Sequence, residues 1–158
     1  MKSRKEQAAY FALLGISIVF AGGIFAAPYL LEQGHHSAAA VARLIYSPVC
    51  HQLPERSFAA FGGPVSVCTR CASIYIAFTA GVILYPFLRK LRVFRASPYI
   101  LLAAAAIPPA VDWALNLTGL VSTGPWMQTA TGVWAGAFIG ALIVPAWLSI
   151  FTPHGDPV

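Results

Sequence analysis

Residues 8–31 read AAYFALLGISIVFAGGIFAAPYLL, 24 positions without a formal charge. As a single helix rising 1.5 Å per residue, this stretch would be about 36 Å long, enough to cross a hydrocarbon core of about 30 Å with some tilt. Lys2, Arg4 and Lys5 precede it. A cleaved signal peptide has an apolar core of only about 7–15 residues, so the longer run points to an uncleaved signal-anchor.

Three more apolar blocks follow, at about 72–88, 98–120 and 128–151. The whole chain, 1–158, reads as one membrane domain. Its composition agrees, with 58% hydrophobic residues, a mean hydropathy of +0.72 and 9% charged residues, against roughly 25% charged in a soluble domain. The predicted fold is all-α: a membrane bundle of four transmembrane helices with a structured external loop, 32–71, between the first two. Pro108-Pro109 and Pro145 remove backbone donors inside the third and fourth spans, which predicts kinks. The net charge of +5 comes from ten basic residues scattered between apolar blocks. They form no continuous basic face, so nucleic acid is not an expected partner and the lipid bilayer is.

Lysine and arginine near span ends set orientation. Lys2, Arg4 and Lys5 precede the first span, and Arg89, Lys90, Arg92 and Arg95 separate the second from the third. The 121–127 loop has none. This bias predicts a multi-pass protein of the cell membrane with both termini in the cytoplasm and the 32–71 loop outside. Gly132, Gly136 and Gly140 recur every four residues in the last span, a stripe that lets helices approach closely. It suits packing within one chain, and alternatively a homo-oligomer formed through the same stripe.

The external loop holds the chemistry. Residues 37–47 favour a weakly amphipathic helix that could lie along the outer interface. Then come Cys50-His51-Gln52, Pro54-Glu55-Arg56-Ser57-Phe58 and Cys68-Thr69-Arg70-Cys71. Gly62-Gly63-Pro64 is a turn signal able to fold Cys50 and His51 back towards the cysteine pair. Cys50, Cys68, Cys71 and His51 have the composition of a Cys₃His zinc site, since two cysteines three apart at a helix start can place both thiolates about 2.3 Å from one ion. Two other readings stay open. Cysteines facing an oxidising compartment tend to pair, so Cys50 can staple the loop to Cys68 or Cys71. Alternatively, Cys68 and Cys71 form a redox dithiol activated by Arg70 and the helix N-terminus. His35-His36 reads as a solvated loop element.

Asp112 is the one formal charge inside any span. A carboxylate at mid-bilayer costs about 2.5–3.5 kcal/mol on insertion scales, so it calls for a partner. Arg70, entering the second span from outside, is at a compatible depth, and Asn116 lies one turn further along the same face. Asp112, Arg70, Arg56 and Glu55 are the charged residues placed to support the centre, with Asp112 an alternative to His51 as the fourth ligand.

These motifs resemble a prokaryotic membrane-protein family known as domain of unknown function 2085. Its pattern is Cys-His-Gln, Pro-Glu-Arg-Ser-Phe and Cys-x-Arg-Cys leading into a Gly-Ile-Tyr helix start, then an Asp in a later span and a Thr-Gly opening the last. Cys50-His51-Gln52, Pro54 to Phe58, Cys68 to Cys71, Asp112 and Thr131-Gly132 match it. Ser73 replaces the usual Gly, and Trp113 and the 122–126 run replace a Gly followed by a polar, Arg-containing segment. The resemblance covers residues 50 to 140 and implies a small multi-span protein with a Cys/His site.

Three roles follow from these residues: a metal-binding membrane protein, a membrane thiol–disulfide oxidoreductase using Cys68 and Cys71, or an accessory subunit that docks another membrane protein through the loop. The chain has no nucleotide loop, serine elbow or His-Glu-x-x-His helix, and no repeat of halves that would suggest a transporter.

Overall fold

The computed structural model describes residues 4–90, 97–119 and 124–151. Lys2, Arg92 and Arg95 of the expected basic flanks, Leu120, the 121–123 part of the third loop and the 152–158 tail lie outside the described residues. The order of elements is α1 (Arg4–Gly23), α2 (Ala26–Glu32), α3 (His36–Tyr46), a 3₁₀ turn (Pro54–Arg56), β1 (Ala59–Ala60), β2 (Gly63–Pro64), α4 (Thr69–Leu88), α5 (Pro98–Leu117) and α6 (Pro125–Ser149). Helices α1, α4, α5 and α6 are long and apolar enough to cross a membrane. The fold is all-α apart from the two-residue hairpin strands. Proline at the first helical position, where the missing N–H costs nothing, begins α5 after Ser97 and α6 after Gly124.

Helices α4 and α6 form the central pair, with α5 packed on α6 and α1 on α4. Close approach explains the glycines. A Cβ at Gly132 would meet the Arg70 carbonyl at 2.6 Å and the Ser73 Cβ at 2.8 Å, and one at Gly136 would collide with the Ile74 carbonyl. The stripe is therefore filled by α4 of the same chain. Two copies could associate through Gly132 and Gly136 only by displacing α4.

Prolines dictate much of the remaining architecture. A proline has no N–H to offer the carbonyl four residues earlier, and inside a bilayer no water takes its place. Pro28 frees the Ile24 carbonyl, which accepts from the backbone N–H of Ser66 at 3.0 Å. Pro86 in α4 frees that of Val82, which accepts from the Tyr10 hydroxyl of α1 at 3.1 Å. Pro108 in α5 frees that of Ala104, which accepts from the Trp134 indole of α6 at 2.8 Å. Each of these three breaks in a helical ladder becomes a tie to another part of the chain.

The first of them corrects the expected continuous first span. Helix α1 ends at Gly23 instead of running to Leu31, and α2 restarts at Ala26. Phe20 loses its axial partner at this break, and the Tyr46 hydroxyl donates to its carbonyl at 2.7 Å. Tyr46 fits because Gly23 has no side chain; a Cβ there would collide with the Tyr46 oxygen. Helices α2 and α3 then pack on each other as a short hairpin.

The core divides between the two ends. Tyr10, Val82, Tyr85, Val144 and Leu148 pack at the end where α1 begins, and Ile24, Tyr46, Cys50, Val67 and Ala72 at the end where α1 breaks.

Candidate metal centre

The second end carries the sulfurs. Cys50 follows α3, whose last turn holds it through the Cys50 N–H donated to the Tyr46 carbonyl at 3.0 Å. The chain then reverses at Gln52, which adopts a left-handed backbone with φ of 53°. This conformation costs a non-glycine residue on the order of 1–3 kcal/mol, and the surroundings account for it. The Gln52 side-chain amide donates to the Arg43 carbonyl at 2.7 Å and the Ser66 carbonyl at 2.8 Å, clamping the end of α3 to the approach of α4. Its backbone N–H turns back towards the Cys50 sulfur at 3.4 Å.

Between the cysteine motifs, β1 pairs antiparallel with β2, Ala59 opposite Pro64 and Ala60 opposite Gly63. Phe61 and Gly62 both have positive φ, 51° and 71°, as a two-residue type I′ hairpin requires. The reversal expected at Gly62-Gly63-Pro64 thus sits one residue earlier. Arg43 donates to the Pro64 carbonyl at 3.2 Å, holding the hairpin against α3. Helix α4 begins at Thr69, three residues before the expected span, with Cys68 at its N-cap. Residues three apart at a helix start share one face, so Cys68 and Cys71 stand together with sulfurs 3.4 Å apart.

The sulfurs of Cys50, Cys68 and Cys71 all lie within 4.8 Å of one another, and all three cysteines are unbridged. Cys50 is buried and the other two are half-buried. Around a tetrahedral ion with bonds of about 2.3 Å, thiolates stand about 3.8 Å apart, a separation compatible with this cluster. The Cys50 sulfur also accepts the backbone N–H of Cys68 at 3.1 Å. Such donors stabilise and orient a thiolate ligand. The thiol of Cys68 is pushed down from 9.0 to about 5, chiefly by the side chain of Cys71, with burial opposing the shift and the backbone N–H of Cys71 assisting it.

Arg70, between the paired cysteines, forms an ion pair with Asp112 of α5, which is 4% exposed. Asn116 donates to the Asp112 carbonyl at 2.7 Å and lies 3.4 Å from its Oδ1. The Asp112 carboxylate is thus committed to α4 and to its own helix. The pair ties the cysteine-bearing turn to α5, which otherwise packs mainly on α6.

The remaining sequence candidates stand apart from the sulfurs. His51 is exposed and lies outside the group of three. Glu55 and Arg56 are exposed in the 3₁₀ turn, and His35 and His36 are exposed at the start of α3. Two residues that pattern reading passed over prove central. Tyr46 is four residues before Cys50 and seals the break in α1, and Gln52, although part of the Cys-His-Gln motif, gave no sign of its left-handed backbone. Phe20 completes an aromatic wall beside the cysteines, its ring centroid 5.0 Å from both Tyr46 and Tyr75.

Four helices of spanning length and a partly buried three-cysteine cluster at one end define a small multi-pass membrane protein with a thiol centre. The chain belongs to the family described as "Predicted membrane protein (DUF2085)", which matches residues 50–142 and so includes all three cysteines and Asp112. It is 35% identical to an uncharacterized protein of Methanocaldococcus jannaschii over 147 residues, 89% of this chain and 94% of that one. An uncharacterized protein of Methanothermobacter thermautotrophicus is 34% identical over 95 residues, 60% of this chain and 83% of its own length. No solved structure matches.

Proposed function

We infer that Cys50, Cys68 and Cys71 together hold one soft metal ion, zinc by its donor set, at the external end of the bundle. The observation that carries this reading is the meeting of three sulfurs from two separate motifs within 4.8 Å. Thiolate ligands select zinc, copper(I) or iron–sulfur clusters, and zinc accepts three thiolates plus a fourth ligand. The fourth position is left for His51, next to Cys50 in the chain, or for a ligand from outside. With three protein ligands and an exchangeable fourth, zinc polarises a bound oxygen; with four protein ligands it is a structural clasp.

Orientation supports an external centre. Arg4 and Lys5 open α1 and Arg89 and Lys90 follow α4, at the end opposite the sulfurs. The bias of basic residues towards the cytoplasm supports a cytoplasmic position for that end, with the N-terminus.

Elemental analysis of the detergent-purified protein tests the metal. About one zinc per chain is expected, lost in Cys68→Ser. His51→Ala separates the two fourth ligands: retained zinc assigns that position to an outside group. Wild-type protein that takes up no more metal than Cys68→Ser overturns the reading.

A second reading is favoured by the lowered Cys68 thiol, 3.4 Å from Cys71. As a thiol–disulfide exchanger, the Cys68 thiolate attacks a partner's disulfide and releases one partner thiolate. Cys71 then resolves the mixed disulfide, leaving Cys68–Cys71 oxidised and the partner reduced. A mixed disulfide trapped in Cys71→Ser supports this route; its absence under oxidising conditions removes it.

A further inference from the structure

We propose that the groove between α1 and α3 is a binding site for the hydrocarbon tail of a bilayer lipid. The groove has a volume of about 480 Å³, within the range of about 300–1,000 Å³ typical of small-molecule sites. Gly15, Val19 and Phe20 of α1 form one wall, and Ala42, Ile45 and Tyr46 of α3 the other. The sole hydroxyl among these six, that of Tyr46, is spent on the Phe20 carbonyl, so the cleft presents hydrocarbon and aromatic carbon.

Its place in the bundle identifies the occupant. Helix α1 is of membrane-spanning length and turns Tyr10, Ser17 and Ala21 towards the protein interior. Val19 on the groove side is 75% exposed, and across the cleft Ile45 is 61% exposed. Val41 and Leu44 extend that apolar surface along α3. The groove is thus continuous with the lipid-facing side of a spanning helix. From Gly23 down to Gly15 it follows α1 for about 12 Å, close to the depth of one hydrocarbon leaflet, about 15 Å. A tail lying parallel to α1 fits that length. Small residues keep the space open: a Cβ added at Gly15 meets nothing within 4 Å.

The inner wall of the groove is also the wall of the thiol centre. Phe20 and Tyr46 pack in the same cluster as Cys50, Cys68 and Cys71. A bound tail therefore lies one aromatic layer from the sulfurs. The proposal does not depend on metal being bound.

Photo-crosslinking in vesicles of palmitoyl-oleoyl phosphatidylcholine tests it, using as probe phosphatidylcholine with a diazirine midway along one acyl chain. Peptides covering 15–23 and 42–46 should be labelled more heavily than the exposed apolar face of α5 around Ile100, Leu102 and Ile107. Gly15→Leu, at a position where an added Cβ meets nothing within 4 Å, puts bulk into the cleft and should lower groove labelling about tenfold, equivalent to about 1.4 kcal/mol of lost binding. Labelling of α5 should stay constant and serves as the control for folding and insertion. Equal labelling of the groove and α5 in wild type, or groove labelling unchanged in Gly15→Leu, overturns the proposal, because either result describes ordinary surrounding lipid.

Discussion

The two ends of the bundle are held by different kinds of interaction. At the end where α1 begins, Tyr10, Val82, Tyr85, Val144 and Leu148 pack as a mainly apolar cluster. Two hydrogen bonds reinforce it, Tyr10 to the Val82 carbonyl and the Trp147 indole to the Ala9 carbonyl at 3.0 Å. At the sulfur end a second apolar cluster is joined by singular polar contacts: an ion pair, a glutamine bonded to two carbonyls, a left-handed residue and N–H groups aimed at a sulfur. Apolar packing tolerates substitution of similar volume. A buried polar contact does not, because removing one partner strands the other. The sulfur end should therefore respond to single substitutions with loss of its centre, and the opposite end with graded loss of stability.

Asp112→Ala should have the largest effect. It leaves the Arg70 guanidinium without its partner, a change that costs about 3–5 kcal/mol for a buried pair. Unfolding in mixed micelles should show this loss, and metal content should fall with it because Arg70 sits between two of the sulfurs. Normal metal content at normal stability would show that the pair has no bearing on the centre.

Gly136→Ala comes next. Its Cβ would press on the Ile74 carbonyl and on Ala77, and overpacking of this kind costs about 1–3 kcal/mol. The expected outcome is a lower denaturation midpoint from loosening of α4 against α6.

Gln52→Ala strands two carbonyls, at about 1–3 kcal/mol for an unsatisfied group. Its signature is weaker metal retention against a chelator. A change in stability with retention untouched would make Gln52 merely a loop anchor.

Tyr10→Phe tests the other end and should cost about 1 kcal/mol while leaving the metal in place. Adding Pro86→Ala should recover much of the loss, since residue 86 then supplies the N–H that Val82 lacks. Strict additivity in this double-mutant cycle would contradict the account of the prolines.

The prediction most specific to the centre concerns pH. The fold lowers the Cys68 thiol from 9.0 to about 5. Stability contributed by the thiolate is thus complete above about pH 9 and is lost as pH falls through about 5. In metal-stripped protein, iodoacetamide should alkylate Cys68 at a nearly constant rate from neutral pH down to about 6, then progressively more slowly around 5. An ordinary thiol would slow about tenfold for each pH unit below its pKa.

The spans were legible because lipid excludes charge, and the apolar blocks show that exclusion directly in the sequence. Cys68 and Cys71 were legible as a pair because helical spacing alone brings them together. Asp112 advertised the need for a partner because an unpaired carboxylate in a bilayer is costly. The break at Gly23 was not legible, since every residue around it is as apolar as a continuous span would be. Gln52 was hidden because glutamine gives no hint of positive φ, and the exposure of His51, beside Cys50 in sequence, was not legible either.

By itself the sequence determined that four stretches are long and apolar enough to cross a membrane and which carbonyls its prolines would leave unpaired, since both follow from local chemistry. Tertiary structure alone decided which donors answered: Ser66 for Ile24, Tyr10 for Val82 and Trp134 for Ala104. It alone brought Cys50 across the loop to Cys68 and Cys71. The physical reason is the same in each case. A missing hydrogen bond or a lone thiol specifies the kind of partner it needs, but only the packed chain sets which group comes within 3 or 4 Å.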